Sequence, residues 1–292
     1  MQTLETFDIT DWNTYFTDQQ QEHALAALEE GKVIFFPQLA FHLQDDEQTL
    51  LSPEYVDPNA KNISFDSQDD SLRGAQGPED IKQQLQTLIK RFANQAQQFI
   101  HQLFPLYQSQ LRQARTSLRP VEISNRKTSY RKDDKRLHVD AFPANPNQGK
   151  RILRLFSNIN LHGQDRVWRL GEPFEKVAAR FLPSIKHPLP GSAYLLKALR
   201  ITKSYRTEYD HIMLQIHDRM KADENYQQTA AQSEIRFPPN STWIVQTDQV
   251  SHAAMSGRQL LEQTFYLPVT AMKNSWHSPL KILERLTGRT LI

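Results

Sequence analysis

The chain has 292 residues, and its 35 Lys and Arg against 33 Asp and Glu give a formal net charge of +2 at pH 7. This length allows a buried core, and a mean hydropathy of −0.64 fits a polar globular protein. The sequence contains no Cys. Disulfides, thiolate metal sites and Cys nucleophiles are therefore excluded, and any metal ion must be bound by His and carboxylate groups.

Membrane-spanning and secretory features are not evident in the sequence. No apolar run approaches the ~20 residues that a membrane helix needs. Residues 1–10 lack the basic region and the apolar stretch of a signal peptide. We therefore expect a cytoplasmic protein.

The N-terminal part, residues 1–118, is predicted to be mainly helical, with a short buried strand at 33–36 that ends at Pro37. Residues 43–80 show little periodicity and are predicted to be a long irregular loop. Apolar residues at helical spacing and capping residues predict helices over 17–30, 78–103 and, after Pro105, to about residue 117.

From Pro120 the apolar pattern changes from a period of 3.6 residues to a period of two. It predicts strands at 122–124, 129–131, 136–140, 151–161, 167–170, 241–250 and 259–267. Helices are predicted within an insertion at 173–226, over 173–182, 192–198 and 210–226, and again in the tail 271–292, over 279–286. These elements predict one α+β domain over residues 1–292, in which residues 119–270 form a double-stranded β-helix, or jelly roll.

His138 and Asp140 are separated by one residue and therefore point to the same face of a strand. Together with His252, which follows a strongly apolar strand, they match the 2-His-1-carboxylate triad of non-haem Fe(II) oxygenases. Such a triad leaves three positions of the iron open for a co-substrate and O₂. A chain with ten His residues shows such a spacing by chance, so the position of the motif at a strand end is what favours this interpretation.

An oxygenase of this type needs a cation for its 2-oxoglutarate co-substrate, because the planar guanidinium of Arg matches a carboxylate. Arg258 opens the strand after His252, and Arg154 lies on the polar face of the strand after the motif, so both are candidates. Asn158 and Asn160 share that face and are further candidates for contacts with the co-substrate.

The segment that leads into the motif is strongly basic, which would attract an anionic substrate. We predict that Tyr130, Arg131, Lys132 and Arg136 contact it, in a cluster that also includes Arg126, Lys127 and Lys135. A nucleic-acid partner is disfavoured, because Tyr130 is the one aromatic residue interleaved with these charges. His211 and His217 have poor ligand spacing on their helix and are interpreted as structural.

Two other functions use the same residues and stay open at this point. The three ligands could hold Zn²⁺ in a hydrolase that activates water. Alternatively, the jelly roll could bind anionic sugars without turnover.

Several longer motifs resemble the Kdo 3-hydroxylase family, and the likeness extends from about residue 32 to the C-terminus. They include residues 129–134, 136–143, 151–154, 168–174, 247–254 and 283–289. The resemblance implies an Fe(II)- and 2-oxoglutarate-dependent dioxygenase of Gram-negative bacteria that uses O₂. Its substrate would be carbon 3 of a 3-deoxy-D-manno-oct-2-ulosonic acid (Kdo) sugar on a lipid A precursor. His138, Asp140 and His252 would be the iron ligands.

The implied substrate is an anionic glycolipid, which leaves two interpretations for the amphipathic tail helix at 279–286. Its apolar side could rest on the cytoplasmic face of the inner membrane, or it could pack on its own domain. The second interpretation is slightly favoured.

Overall fold

A computed structural model describes residues 4–123 and 128–292 of the chain. The strands are β1 (Leu4–Thr6), β2 (Val33–Phe36), β3 (Ile63–Asp66), β4 (Ser71–Arg73), β5 (Arg112–Arg119), β6 (Arg151–Asn158), β7 (Arg166–Leu170), β8 (Ser233–Phe237), β9 (Thr242–Gln246), β10 (His252–Ser256) and β11 (Leu260–Leu267). The helices are α1 (Asp18–Glu29), α2 (Glu79–Leu103), α3 (Phe174–Phe181), α4 (Ser192–Ala198), α5 (Glu208–Ala222), α6 (Glu224–Thr229) and α7 (Pro279–Thr287).

The described strands form two sheets. The larger has the order β1-β2-β9-β6-β11-β5-β3-β4, and the smaller has the order β10-β7-β8. All pairs are antiparallel except the parallel pair of β1 and β2. A single bridge between His138 and His252 adds the metal motif to the edge of the smaller sheet.

Aromatic side chains fill the space between the sheets. Phe156 of β6 stacks on Trp243 of β9 with ring centroids 5.2 Å apart. Phe237 of β8 stacks on the same indole at 4.0 Å, and Trp168 of β7 meets it edge-on at 5.7 Å. Aromatic pairs of this kind stabilise the fold beyond the effect of the area that each ring buries. Because the rings come from strands of both sheets, the cluster holds the two sheets together.

The outer face of the larger sheet is covered by α1 and α2, where α1 packs on β2 and β9, and α2 packs on β5 and β11. Thr17 and Gln20 form a capping box at the start of α1, as the sequence predicted. The predicted apolar stripe of α2 is confirmed, since Leu85, Leu88 and Phe92 are fully buried. The helices therefore fix one side of the sheet and leave its other side to the smaller sheet.

The tail helix α7 is confirmed and packs on its own domain. Leu280, Ile282 and Leu283 are buried, and the helix contacts α3. Of the two interpretations of this tail, the packed helix is the one observed, and of its apolar side only Leu286 stays exposed, at 41%. None of the helices in the described ranges is long and apolar enough to span one.

Two predictions for the N-terminal part are wrong. Residues 112–119 form β5 and not the end of a helix, because the segment hydrogen-bonds to β3 on one side and β11 on the other. The segment 43–80 is not irregular throughout, since it contains two 3₁₀ turns and the hairpin of β3 and β4. This part therefore contains five strands in addition to α1 and α2.

Several predicted elements near the motif also differ. Residues 122 and 123 are not in a strand, and residue 124 of that prediction lies outside the described residues. Tyr130–Lys132 is a 3₁₀ turn, and 136–140 makes a single bridge at His138. The predicted helix over 210–226 is divided into α5 and α6, where Asp223 ends one helix and caps the next. The strand β8 was not predicted.

Candidate metal centre

His138, Asp140 and His252 come together as a buried cluster whose possible ligand atoms lie within 4.8 Å of one another. Backbone hydrogen bonds hold the cluster: the N–H groups of His138 and His252 each donate to the other's carbonyl, at 3.0 and 2.9 Å. The N–H of Asp140 donates to the carbonyl of Thr247 at 2.8 Å. The extended backbone therefore projects both members of the motif toward one point, although only one bridge of regular sheet forms.

Both imidazoles are oriented for metal binding through Nε2. The Nδ1 atom of His138 lies 2.7 Å from the carbonyl oxygen of Arg136, and that of His252 lies 2.8 Å from the carbonyl oxygen of Val250. A carbonyl can only accept, so each Nδ1 carries the proton and donates it. Each Nε2 then keeps a free lone pair, as is usual for ligating histidines.

The protonation states at neutral pH are those that bind a metal. Burial lowers the pKa of both His138 and His252 and so keeps the imidazoles neutral. Burial by itself raises the pKa of Asp140, but the neighbouring charge of Arg154 reverses this effect, and the pKa ends below its usual value. Two neutral imidazoles and one carboxylate with Oδ1 3.8 Å from Nε2 of His138 fit a divalent metal.

Of the predicted co-substrate residues, Arg154 is the one that the structure brings to the triad. It lies on the inner face of β6, and its Nη2 is 3.1 Å from Oδ2 of Asp140, within ion-pair distance but without an aligned hydrogen bond. Its Nη1 lies 3.3 Å from Oε1 of Glu262, which also pairs with Arg119. A chain of charged side chains thus extends from Asp140 through Arg154 to Glu262 and Arg119.

The other predicted co-substrate residues lie elsewhere. Arg258 follows the end of β10 opposite His252, and it makes no ion pair among the described residues. Asn158 donates to the carbonyls of Gln164 and Phe237, and Asn160 accepts from backbone N–H groups of residues 162 and 164. Both amides therefore shape the turn between β6 and β7 and make no contact with the triad.

The basic residues predicted to meet the substrate are largely paired. Arg131 lies 3.1 Å from Asp218 and stacks on Tyr130, and Arg136 lies 2.6 Å from Glu224. Lys132 is exposed on the 3₁₀ turn. Arg126 and Lys127 lie outside the described residues. The charges of Arg131 and Arg136 are therefore compensated by carboxylates of α5 and α6.

Three cations near the centre were not predicted. Lys221 of α5 is buried, and its charge contributes to the lowered pKa of both ligand histidines, after the larger effect of burial. Arg166 and Arg119 are the other two. Burial, followed by the charge of Arg119, lowers the pKa of Arg166 to about 9. Arg166 has no carboxylate at ion-pair distance within the described ranges and donates to the carbonyl of Gly257.

His217, which the sequence analysis interpreted as structural, packs edge-on against His138 with ring centroids 5.5 Å apart. Its Nδ1 lies 2.9 Å from Asp218. His217 and Lys221 are four residues apart and therefore share one face of α5, which is the face turned to the metal centre. That spacing is visible in the sequence, but the packing of the helix beside the triad is not.

Comparisons with known proteins agree with this geometry. A family model for 3-deoxy-D-manno-oct-2-ulosonic acid (Kdo) hydroxylase matches residues 11–290. No curated protein sequence matches the chain.

Solved structures of the Kdo hydroxylase KdoO, a non-haem Fe(II) α-ketoglutarate (2-oxoglutarate) dependent dioxygenase, are similar over nearly the whole length. The complex with α-ketoglutarate and Fe(III) has 48% identity and a TM-score of 0.96, covering 100% of this chain and 98% of that one. The complex with cobalt(II) has 49% identity and a TM-score of 0.97 with the same coverage. The chain therefore belongs to the Kdo hydroxylase family of Fe(II)- and 2-oxoglutarate-dependent dioxygenases.

Proposed function

We propose that this dioxygenase hydroxylates carbon 3 of a Kdo sugar carried by a lipid A precursor. The observation that carries the proposal is the buried His138, Asp140 and His252 cluster, in a chain that matches the Kdo hydroxylase family over residues 11–290. When bound there, iron and 2-oxoglutarate supply the oxidising chemistry that uses O₂, and the protein supplies position and a dry environment.

We further propose that the two sheets form the jelly roll expected from the sequence. In support, the chain passes repeatedly from one sheet to the other: β5 and β6 lie in the larger sheet, β7 and β8 in the smaller, β9 in the larger, β10 in the smaller and β11 in the larger. The motif that contains His138 joins the smaller sheet beside β10. The triad then lies at the edge of the space between the sheets, where a substrate can reach it.

In this proposal Arg154 orients Asp140 and contacts the co-substrate near the metal. Its guanidinium lies between two carboxylates, those of Asp140 and Glu262, so its position is fixed before any ligand arrives. Arg119 pairs with the same Glu262, and Arg166 is a buried cation without a carboxylate partner in the described residues. Such a cation is suited to the distal carboxylate of 2-oxoglutarate.

The chemistry of Kdo explains a further requirement. In a 3-deoxy-2-ulosonic acid the carboxylate is carbon 1, so it lies two bonds from the carbon that is hydroxylated. A site that places carbon 3 at the metal must therefore accommodate an anion beside the triad. Lys221 supplies a positive charge there, since it is buried on the face of α5 that packs His217 against His138, and its Nζ donates to the carbonyl of Arg131 at 3.1 Å. We propose Lys221 as the group that attracts the Kdo carboxylate.

Replacement of Lys221 by Met is expected to raise the KM for the Kdo acceptor about tenfold or more, because a hydrogen bond to a charged group is lost. The KM for 2-oxoglutarate and the acceptor-free release of succinate should stay the same. Lys221→Arg should restore part of the acceptor affinity, and Lys176→Met, on the exposed side of α3, is the matched control. An equal loss for acceptor and co-substrate would contradict the assignment and indicate a role of Lys221 in packing.

Product analysis tests the proposed function as a whole. Kdo-lipid A is incubated with the protein, Fe(II), 2-oxoglutarate and air, and the product is examined by mass spectrometry and NMR. We expect one added oxygen on carbon 3, and none when 2-oxoglutarate is omitted or when the acceptor is lipid A without Kdo. Succinate release without any added oxygen would support the assignment as a dioxygenase but contradict the assignment of Kdo-lipid A as its acceptor. Turnover with zinc and without O₂ would favour the hydrolase.

A further inference from the structure

An exposed apolar and basic surface surrounds α4. Six of the thirteen exposed large apolar side chains in the described residues fall in this short stretch: Leu189, Tyr194, Leu195, Leu199, Ile201 and Tyr205. Their exposed fractions reach 79% for Leu189 and 74% for Tyr194. Residues 185–207, called the α4 surface below, therefore present apolar groups to solvent at a density found nowhere else in the described chain.

The charge of the α4 surface has a single sign. Residues 185–207 contain no Asp or Glu. They contain Lys186, Lys197, Arg200 and Lys203, all exposed and without an ion pair among the described residues, in addition to Arg206. Exposed Leu and Tyr side chains interspersed with unpaired Lys and Arg are the composition that binds the interface of an anionic bilayer.

The α4 surface is hydrogen-bonded to the segment that follows Asp140. The guanidinium of Arg206 donates to the carbonyl of Pro143 at 2.6 Å, and the N–H of Lys203 donates to the carbonyl of Ala144 at 2.9 Å. These two acceptors follow the ligand Asp140 by three and four residues. At its other end the segment continues into α5, which carries Lys221. A membrane bound at the α4 surface would therefore present its lipid headgroups close to the triad.

We propose that the α4 surface docks the enzyme on an anionic lipid bilayer. The apolar side chains would enter the headgroup region, and the four unpaired cations would contact lipid phosphates. The purpose of this contact, delivery of a lipid-linked Kdo sugar, rests on the proposed function, whereas the binding itself rests on the exposed residues. A second copy of the chain is a less suitable occupant, because a symmetric contact would oppose the same unpaired cations.

Vesicle flotation tests this proposal. The wild-type protein is mixed with vesicles of phosphatidylcholine, with or without phosphatidylglycerol, and the bound fraction is measured over a range of lipid concentrations. We expect binding to the anionic vesicles, weakened by salt, and little binding to pure phosphatidylcholine. The variant L195E/L199E should require a lipid concentration about tenfold higher, or more, for half of the protein to bind. Two apolar side chains are replaced by carboxylates, which the anionic membrane repels. The affinity of the variant K197Q/R200Q for anionic vesicles should fall about fivefold for each cation removed.

The control is Y15E/L106E, which changes two exposed apolar residues far from α4 in the sequence and should bind vesicles as the wild type does. All three variants alter exposed side chains and should keep the wild-type Tm and the acceptor-free release of succinate. Wild-type protein that fails to float with anionic vesicles, or an L195E/L199E variant that binds as tightly as the wild type, would overturn the proposal.

A concentration-dependent dimer in sedimentation velocity, lost in L195E/L199E and accompanied by no vesicle binding, would assign the α4 surface to a second copy of the chain. Vesicle binding that depends on α4, in a protein that does not hydroxylate Kdo-lipid A, would retain the docking surface and contradict the proposed function. Failure of the docking proposal and failure of the proposed function therefore give different results.

Discussion

His138→Ala, Asp140→Ala and His252→Ala are each expected to lower kcat/KM by about 1000-fold or more, because the metal supplies several kcal/mol of the barrier reduction. The three side chains form the proposed ligand set, and the hydrogen bonds to the carbonyls of Arg136 and Val250 orient both imidazoles. A variant with two ligands left should also bind iron weakly. The loss should therefore be visible in the metal content of the purified protein as well as in turnover.

The fold should survive these substitutions. The backbone groups of His138 and Asp140 make the contacts that fix this segment, and Ala keeps those groups. His162→Ala is the matched control, because His162 is an exposed histidine in the turn after β6 and should leave iron content and activity unchanged. Near-normal turnover in any one of the three ligand variants, with iron still bound, would contradict the assignment of the triad.

Arg154→Gln is expected to weaken the binding of 2-oxoglutarate about 30-fold or more, the range for truncating one partner of a buried charge pair. Its guanidinium lies 3.1 Å from Asp140 and 3.3 Å from Glu262, so its loss leaves two buried carboxylates facing each other. The negative charge of these carboxylates repels the dianionic co-substrate. Their repulsion of each other also raises the free-energy cost of keeping Asp140 ionised.

Arg258→Gln tests which of the two arginines proposed from the sequence, Arg154 or Arg258, binds 2-oxoglutarate. Arg258 makes no ion pair in the described part of the chain and follows the end of β10 opposite His252. Its substitution is expected to change 2-oxoglutarate binding less than about threefold, because this half-buried guanidinium forms no ion pair with Asp140 or Glu262, as Arg154 does. Binding is measured by titration of the Co(II)-substituted protein, without turnover. If Arg258→Gln lost more affinity than Arg154→Gln, the assignment of Arg154 would be wrong.

The cluster of His138, Asp140 and His252 was predictable because it depends largely on local geometry. His138 and Asp140 share a face wherever the backbone is extended, and that condition holds here although regular sheet is limited to one bridge. The alternation along β6 was equally informative, since it put Arg154 on the same face as Phe156, between the sheets. Period and spacing are properties that a sequence displays directly.

What could not be predicted depends on contacts between distant segments. Residues 112–119 are rich in Arg and Gln, which suit a helix, but pairing with β3 and β11 makes them a strand. Lys221 and His217 reach the triad because α5 packs beside it, and nothing in their own helix encodes that position. The ion pairs of Arg131 and Arg136 with Asp218 and Glu224 likewise join segments about 90 residues apart.

The most direct test of the account is the origin of the oxygen that enters the product. The protein is incubated with Fe(II), 2-oxoglutarate and Kdo-lipid A under oxygen-18 gas in ordinary water, and the glycolipid is analysed by mass spectrometry. The account predicts one atom of oxygen-18 on the Kdo sugar and one molecule of succinate for each hydroxylation. Incorporation of oxygen from water alone, or modification without succinate, would contradict a 2-oxoglutarate-dependent hydroxylation at this triad.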